Sequence, residues 1–161
     1  MAEYYLMSQL PSLDGVGENA PLPITEKDFL EVCRRFLGKN ELKELERLTL
    51  LPPRNPMKSS SPLIEEWNEG ERNLRLALAK LRADKMKKSF ALAEGYLSAE
   101  LLQTARTAVE FESPMEAEKF LNDYRLKFLE TLRPMDTFSK DSVFYYCLKL
   151  KLISRMRNFD N

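Results

Sequence analysis

The side chains able to do chemistry in this sequence fall into a few groups. Glu65, Glu66 and Glu69 crowd one short stretch, and Glu110, Glu112, Glu116 and Glu118 form a second acidic group. On a helix, Glu65 and Glu69 share a face, and a hard cation could sit between them. The same acids, placed in a first turn, also complement the helix dipole with no ligand at all. Capping and solubility account for the second group in the same way. The chain has no histidine, which removes the commonest general base near neutral pH and every histidine-dependent triad or zinc site. Cys33 and Cys147 lie far apart, each in an apolar segment. They read as buried free thiols, a usage that suits a reducing cytosol.

The other motif matches are thin. Gly15-x-Gly17-x-x-Ala20 formally fits the dinucleotide fingerprint. That motif needs a helix opening at its last position to hold the pyrophosphate, and Pro21-Leu22-Pro23 follows instead. A plain turn is the expectation, and no cofactor is expected. No phosphate-binding loop, G-x-S-x-G elbow or S-x-x-K is present. Lys80, Arg82, Lys85, Lys87 and Lys88, opposed only by Asp84, make a basic run. Such a run could meet an anionic partner, and it equally suits the negative end of a helix dipole.

The totals bound the class. At 161 residues the chain fits one domain, 1–161, with enough length to bury a core without staples. Twenty-five acidic and 25 basic residues cancel, whereas a generic nucleic-acid binder shows a basic excess. Neither a nucleic-acid partner nor a small-molecule substrate is expected. Glu3 and the absence of a basic segment ahead of an apolar one argue against a signal peptide. No stretch approaches the ~18 uncharged apolar residues of a membrane span.

Sequence pattern then places these groups on elements. EYYLMSQL (3–10) reads as an extended segment, so that 1–24 is an extended and loop region rich in proline and glycine. Thr25 caps a helix with Phe29, Val32, Cys33, Phe36 and Leu37 inward, stopped by Gly38. A short helix over 40–50 and a proline-broken linker over 52–61 follow. Ser61-Pro62 opens a long helix running to about Glu94, roughly 48 Å at ~1.5 Å per residue. Gly70 weakens it by up to ~1 kcal/mol without breaking it. Ser98 caps a further helix to about Val109. Ser113-Pro114-Met115-Glu116 combines a cap, an N1 proline and a capping-box glutamate. The helix it starts puts Ala117, Leu121, Tyr124, Phe128 and Leu132 on one face. Ser139 and Asp141 start a last helix to about Arg157. The expected fold is all-α: a bundle of about six helices around one long central helix, with an extended N-terminal segment.

The long helix carries two apolar stripes. Ile64, Trp67, Leu74, Leu78 and Leu81 keep the rhythm of a packing seam, interrupted by Glu71. Leu76, Ala79, Ala83, Met86 and Phe90 form a second stripe about 200° away at ~100° per residue. Such a helix must be covered on both sides, by its own chain or by a partner. Arg72, Arg75 and Arg82 share a similar face, suited to bidentate ion pairing. The expected partner-contact residues are Trp67, Glu71, Arg72, Arg75, Arg82, Lys85 and Lys88.

The stretch EWNEGERNLRLALAKLRADKM resembles an uncharacterised bacterial family encoded within V-type ATPase gene clusters. YYLMSQLPSL, SPMEAEKFLNDYRLKFLETL and FSKDSVFYYCLKLKLISRMRNFD extend that resemblance over most of the chain. It implies a non-catalytic role, standing in for the V-type ATPase C (eukaryotic d) subunit, a helical socket that joins central stalk to membrane ring. The implied partners are those stalk and ring subunits. The implied location is cytoplasmic, peripheral to the inner face of the membrane through the complex. The family's characteristic positions map here to Trp67, Glu71, Arg72, Asn73, Leu74, Arg75, Ala83, Tyr146, Leu148, Leu150 and Arg155. Its members tend to run longer, and a truncated chain would lack part of the fold and of the interface. Two alternatives stand beside this reading: a carboxylate- or metal-dependent enzyme, and an anion-binding helical module using the basic end of the long helix.

Overall fold

The computed structural model describes residues 2–16, 21–54, 59, 61–90 and 95–158. Among them the chain forms seven α-helices and no strand: α1 (Ala2–Gln9), α2 (Glu26–Phe36), α3 (Lys39–Arg47), α4 (Pro62–Lys85), α5 (Ala99–Glu110), α6 (Pro114–Thr131) and α7 (Lys140–Asn158). The all-α expectation holds. The expected helix starts hold as well, because their caps are chemical. The hydroxyls of Thr25, Ser61, Ser98 and Ser113 each accept a bond from a backbone N–H three residues on.

Three expectations are corrected. Residues 2–9 are helical, not extended, and the N-terminal segment is a helix laid on α2 and α7. Leu6 is its fully buried anchor. The long helix ends at Lys85, before the expected Glu94; residues 91–94 lie outside the described set. Its end is a Schellman motif. Lys88 N–H donates to Ala83 C=O at 2.8 Å, and Lys87 N–H donates to Asp84 C=O at 3.1 Å. That closure needs a left-handed residue, and Lys87 takes it, at φ 56°. Sequence inspection looks for glycine there and finds lysine. The third correction concerns the centre. α4 is the longest helix at 24 residues, but α7 is the most buried and packs on α1, α2, α4 and α6.

Apolar packing forms two clusters. The first surrounds α7 and includes Leu6, Phe29, Cys33, Leu45, Trp67 and Leu129. The second joins the C-terminal half of α4 to α5 and the start of α6, through Leu74, Leu78, Leu101, Ala105 and Leu121. Small residues set this contact: Ala77, Ala105 and Ala108 are buried, so α4 and α5 approach closely. α4 and α6 each run through both clusters. Where they cross, Gly70 receives the Phe128 ring, and a Cβ at Gly70 would overlap that ring. Trp67 lies beside the same ring, centroids 6.0 Å apart.

The α4 stripes fare differently. Ile64, Trp67, Leu74, Leu78 and Leu81 are all buried. Leu76, Ala79 and Ala83 are half-buried, Met86 is exposed, and Met86 and Phe90 lie beyond the helix. α4 therefore has one buried face and one partly open flank, not two covered faces. On α6 the buried line is Leu121, Asn122, Arg125 and Leu129. The expected line of Ala117, Tyr124, Phe128 and Leu132 is only half-buried.

Candidate functional site

Glu71 stands in the α4 seam where an apolar residue belongs, and it is only 4% exposed. A carboxylate taken out of water needs a partner. Arg125, 6% exposed on α6, supplies it. Its Nη2 donates to Glu71 Oε1 at 2.9 Å, and its Nε donates to Oε2 at 3.0 Å. This is a two-pronged pair of the kind a guanidinium is shaped for. Arg75 Nε adds a third donor to Glu71 Oε1 at 3.0 Å. The free end of Arg125 donates through Nη1 to Asn122 Oδ1 at 2.9 Å and to Glu118 Oε1 at 3.1 Å. Arg155 of α7 closes the chain on Glu118 Oε1 at 2.7 Å. The network thus runs Arg75, Glu71, Arg125, Glu118, Arg155, alternating in sign and tying three helices together.

Its place in the fold is specific. On α4, Glu71 falls between Trp67 of the first apolar cluster and Leu74 of the second; on α6, Arg125 falls between Leu129 and Leu121. The pair fills the boundary between the two clusters. Sequence reading found Glu71 and Arg75 but missed Arg125, Asn122 and Glu118. The available signal was the seam itself: an acid at an a/d position calls for a facing cation.

The seven expected partner-contact residues separate into inward and outward sets. Trp67 and Glu71 point into the fold, Trp67 with its Nε1 donating to Leu50 C=O at 3.3 Å. Arg72 holds Pro53 C=O at 3.2 Å. Arg75 is half in solvent beside Glu71. Arg82, Lys85 and Lys88 are exposed, and Lys85 Nζ reaches Val109 C=O at 3.4 Å. In the basic run, Lys80 is paired with Asp84.

The acidic groups do not converge. Glu65, Glu66, Glu69, Glu110, Glu112 and Glu116 are all exposed, and Glu118 belongs to the ion network. No group of three metal-binding side chains occurs among the described residues. Gly15 sits in a left-handed turn at φ 71°, and α2 starts only after Thr25. Gly17 and Ala20 lie outside the described residues.

A second charged cluster, which the sequence did not suggest, joins the 11–14 segment to α6 and α7. Lys149 Nζ lies 2.8 Å from Glu130 Oε1 and 3.4 Å from Asp14 Oδ1. Arg133 Nη2 donates to Asp14 Oδ1 at 3.0 Å, and Tyr145 OH donates to Glu130 Oε1 at 2.6 Å. Burial pushes the Glu130 carboxyl up, but hydrogen bonds from Lys149 and Tyr145 outweigh it and leave the group below its ordinary value. The hydrogen bond from Arg133 lowers Asp14 in the same way. Burial, with the Glu130 contact, raises the Tyr145 phenol. Tyr146 OH donates to Pro11 C=O at 2.6 Å. These groups line a cavity of about 250 Å³. Each acid in it already has a cationic partner, so the cluster is a clasp and not a reactive set.

Cys33 and Cys147 are free and buried, as expected. Burial pushes both thiols up to about 12, far from a reactive thiolate. A larger cleft of about 530 Å³ opens between α3, the 48–53 segment and the start of α4. No helix among the described residues is long and apolar enough to cross a membrane. Compared with known proteins, the chain matches no family model, no curated protein and no solved structure.

Proposed function

We propose that the chain is a non-catalytic coupling or assembly subunit of a bacterial V/A-type rotary ATPase, bridging its central stalk and membrane ring. The observation that carries this reading is the resemblance of the α4, α6 and α7 sequences to the family encoded in V-type ATPase gene clusters. The geometry is compatible with it in a particular way. Of the positions that carry the resemblance, Trp67, Glu71, Leu74, Tyr146, Leu148 and Leu150 are buried and build the frame. Arg72 and Arg75, with Arg82, Lys85 and Lys88, run along the outer edge of α4. In this role the buried charges fix the angle between helices, and the α4 edge with its half-covered flank meets a neighbouring subunit. The chain acts at the cytoplasmic side of the membrane, held there by the complex.

Affinity purification of the tagged full chain from its native host tests the reading. Stalk and ring subunits should co-purify, and Arg72→Glu with Arg75→Glu should reduce their recovery without unfolding the chain. A fully assembled complex that couples ATP hydrolysis to ion transport in a strain lacking the protein would overturn it.

A further inference from the structure

The 530 Å³ cleft is independent of that reading and has the make-up of a ligand site. One wall is α3, which presents Lys43 and Arg47 one helical turn apart, with Cβ atoms about 6 Å apart. The opposite wall is the 48–53 segment, fixed from behind by α4: Trp67 Nε1 holds Leu50 C=O and Arg72 Nη2 holds Pro53 C=O. Leu48, Leu51 and Ile64 give the cleft apolar surface. Leu51 is 55% exposed, more than its neighbours Leu48 and Ile64.

Charge in the cleft is unbalanced. Glu44 is its only acid, and that carboxylate is already committed. Its Oε1 accepts from Ser59 Oγ at 2.6 Å, and its Oε2 pairs with Lys140 at 3.4 Å. Lys43 and Arg47 have no ion pair or hydrogen bond from their side chains among the described residues, and neither does the half-buried Asn68 amide on the α4 side. Two unpaired cations and an amide donor therefore surround an apolar pocket whose volume falls within the roughly 300–1,000 Å³ of small-molecule sites.

We infer that this cleft binds a small soluble amphipathic anion, a phosphate or carboxylate on an apolar body. Lys43 and Arg47 hold the anionic group, Asn68 donates to it, and Leu48, Leu51 and Ile64 cover the apolar part. The site is concave and sized for one molecule, which favours a soluble ligand over a membrane surface.

Titration calorimetry of the full chain with decyl phosphate, kept below its aggregation concentration, tests this. Decyl phosphate should bind. Inorganic phosphate and decanol should each bind at least about tenfold more weakly, because each lacks half of the recognition. Lys43→Gln with Arg47→Gln should weaken decyl phosphate by about tenfold or more. Both side chains are exposed, so that variant should fold, which its circular dichroism and unfolding midpoint verify. Leu51→Ser, also at an exposed position, should weaken decyl phosphate and leave inorganic phosphate unchanged. No binding of decyl phosphate at millimolar concentration would overturn the inference. So would binding unaltered by the double variant, or binding only to anionic lipid vesicles or to an acidic Leu/Glu amphipathic peptide.

Discussion

Arg125 on α6 grips Glu71 on α4 with both prongs of its guanidinium, at 2.9 and 3.0 Å, in the boundary between two apolar clusters. Breaking such a pair by removing one partner leaves an uncompensated buried charge, which costs about 3–5 kcal/mol. Arg125→Met and Glu71→Leu should each lower stability by about that amount in urea unfolding. The double variant should lose clearly less than the two losses added, because no lone charge remains. Additive losses would show that the pair is not coupled as the geometry requires.

Gly70→Ala separates helix propensity from packing. Propensity alone predicts a gain of up to about 1 kcal/mol. The Phe128 ring occupies the space the new methyl needs, and overpacking costs about 1–3 kcal/mol. The variant should therefore be less stable than the parent. Adding Phe128→Leu should recover part of the loss; a stabilised Gly70→Ala single variant would refute the close approach of the two helices.

Lys87 pays the conformational cost of the left-handed position that ends α4. Lys87→Gly should raise stability by about 0.5–1 kcal/mol, because glycine adopts that conformation freely. The same substitution at Lys85, inside the last helical turn, should lower it. Thermal melts of the two variants side by side decide the matter.

Acid should loosen the clasp between the N-terminal segment and α7. Glu130 and Asp14 both sit below their ordinary values of 4.5 and 3.8 in the fold. Their contribution is full above those values and disappears as pH falls through the lower, folded ones. Urea midpoints should fall below about pH 4.5, and Glu130→Gln should flatten that decline. Glu41 should behave oppositely. Burial, and then the neighbouring Glu3 charge, raise its carboxyl, so its contribution is present at low pH and lost as pH rises through the folded value. Glu41→Gln should gain stability at pH 7 relative to pH 4.

Local chemistry was readable where a side chain acts on its own backbone. Thr25, Ser61, Ser98 and Ser113 announced four helix starts, and the hydroxyl-to-amide bonds are there. Features that depend on tertiary partners were hidden. α1 has weak amphipathic character, and its helix is held by the surface of α7 and not by propensity. The buried line of α6 contains Asn122 and Arg125, so a search for apolar periodicity settled on the neighbouring line of Phe128 and Tyr124. Of the central ion network, Glu71 was visible as an interruption in a seam. Its partner 54 positions away was not.

α7 is the last helix in chain order and the innermost in space. Tyr146 is bonded to Pro11 and Lys149 to Asp14, each across 135 positions of sequence. A ribosome therefore releases α1 and α2 long before the surface they rest against exists. During synthesis Leu6, Phe29 and Trp67 have nothing to close on, and contacts this distant in sequence slow the final collapse. The emerging polypeptide is left with a greasy trough that only its own tail can plug, which makes it a natural client for holding chaperones until translation ends.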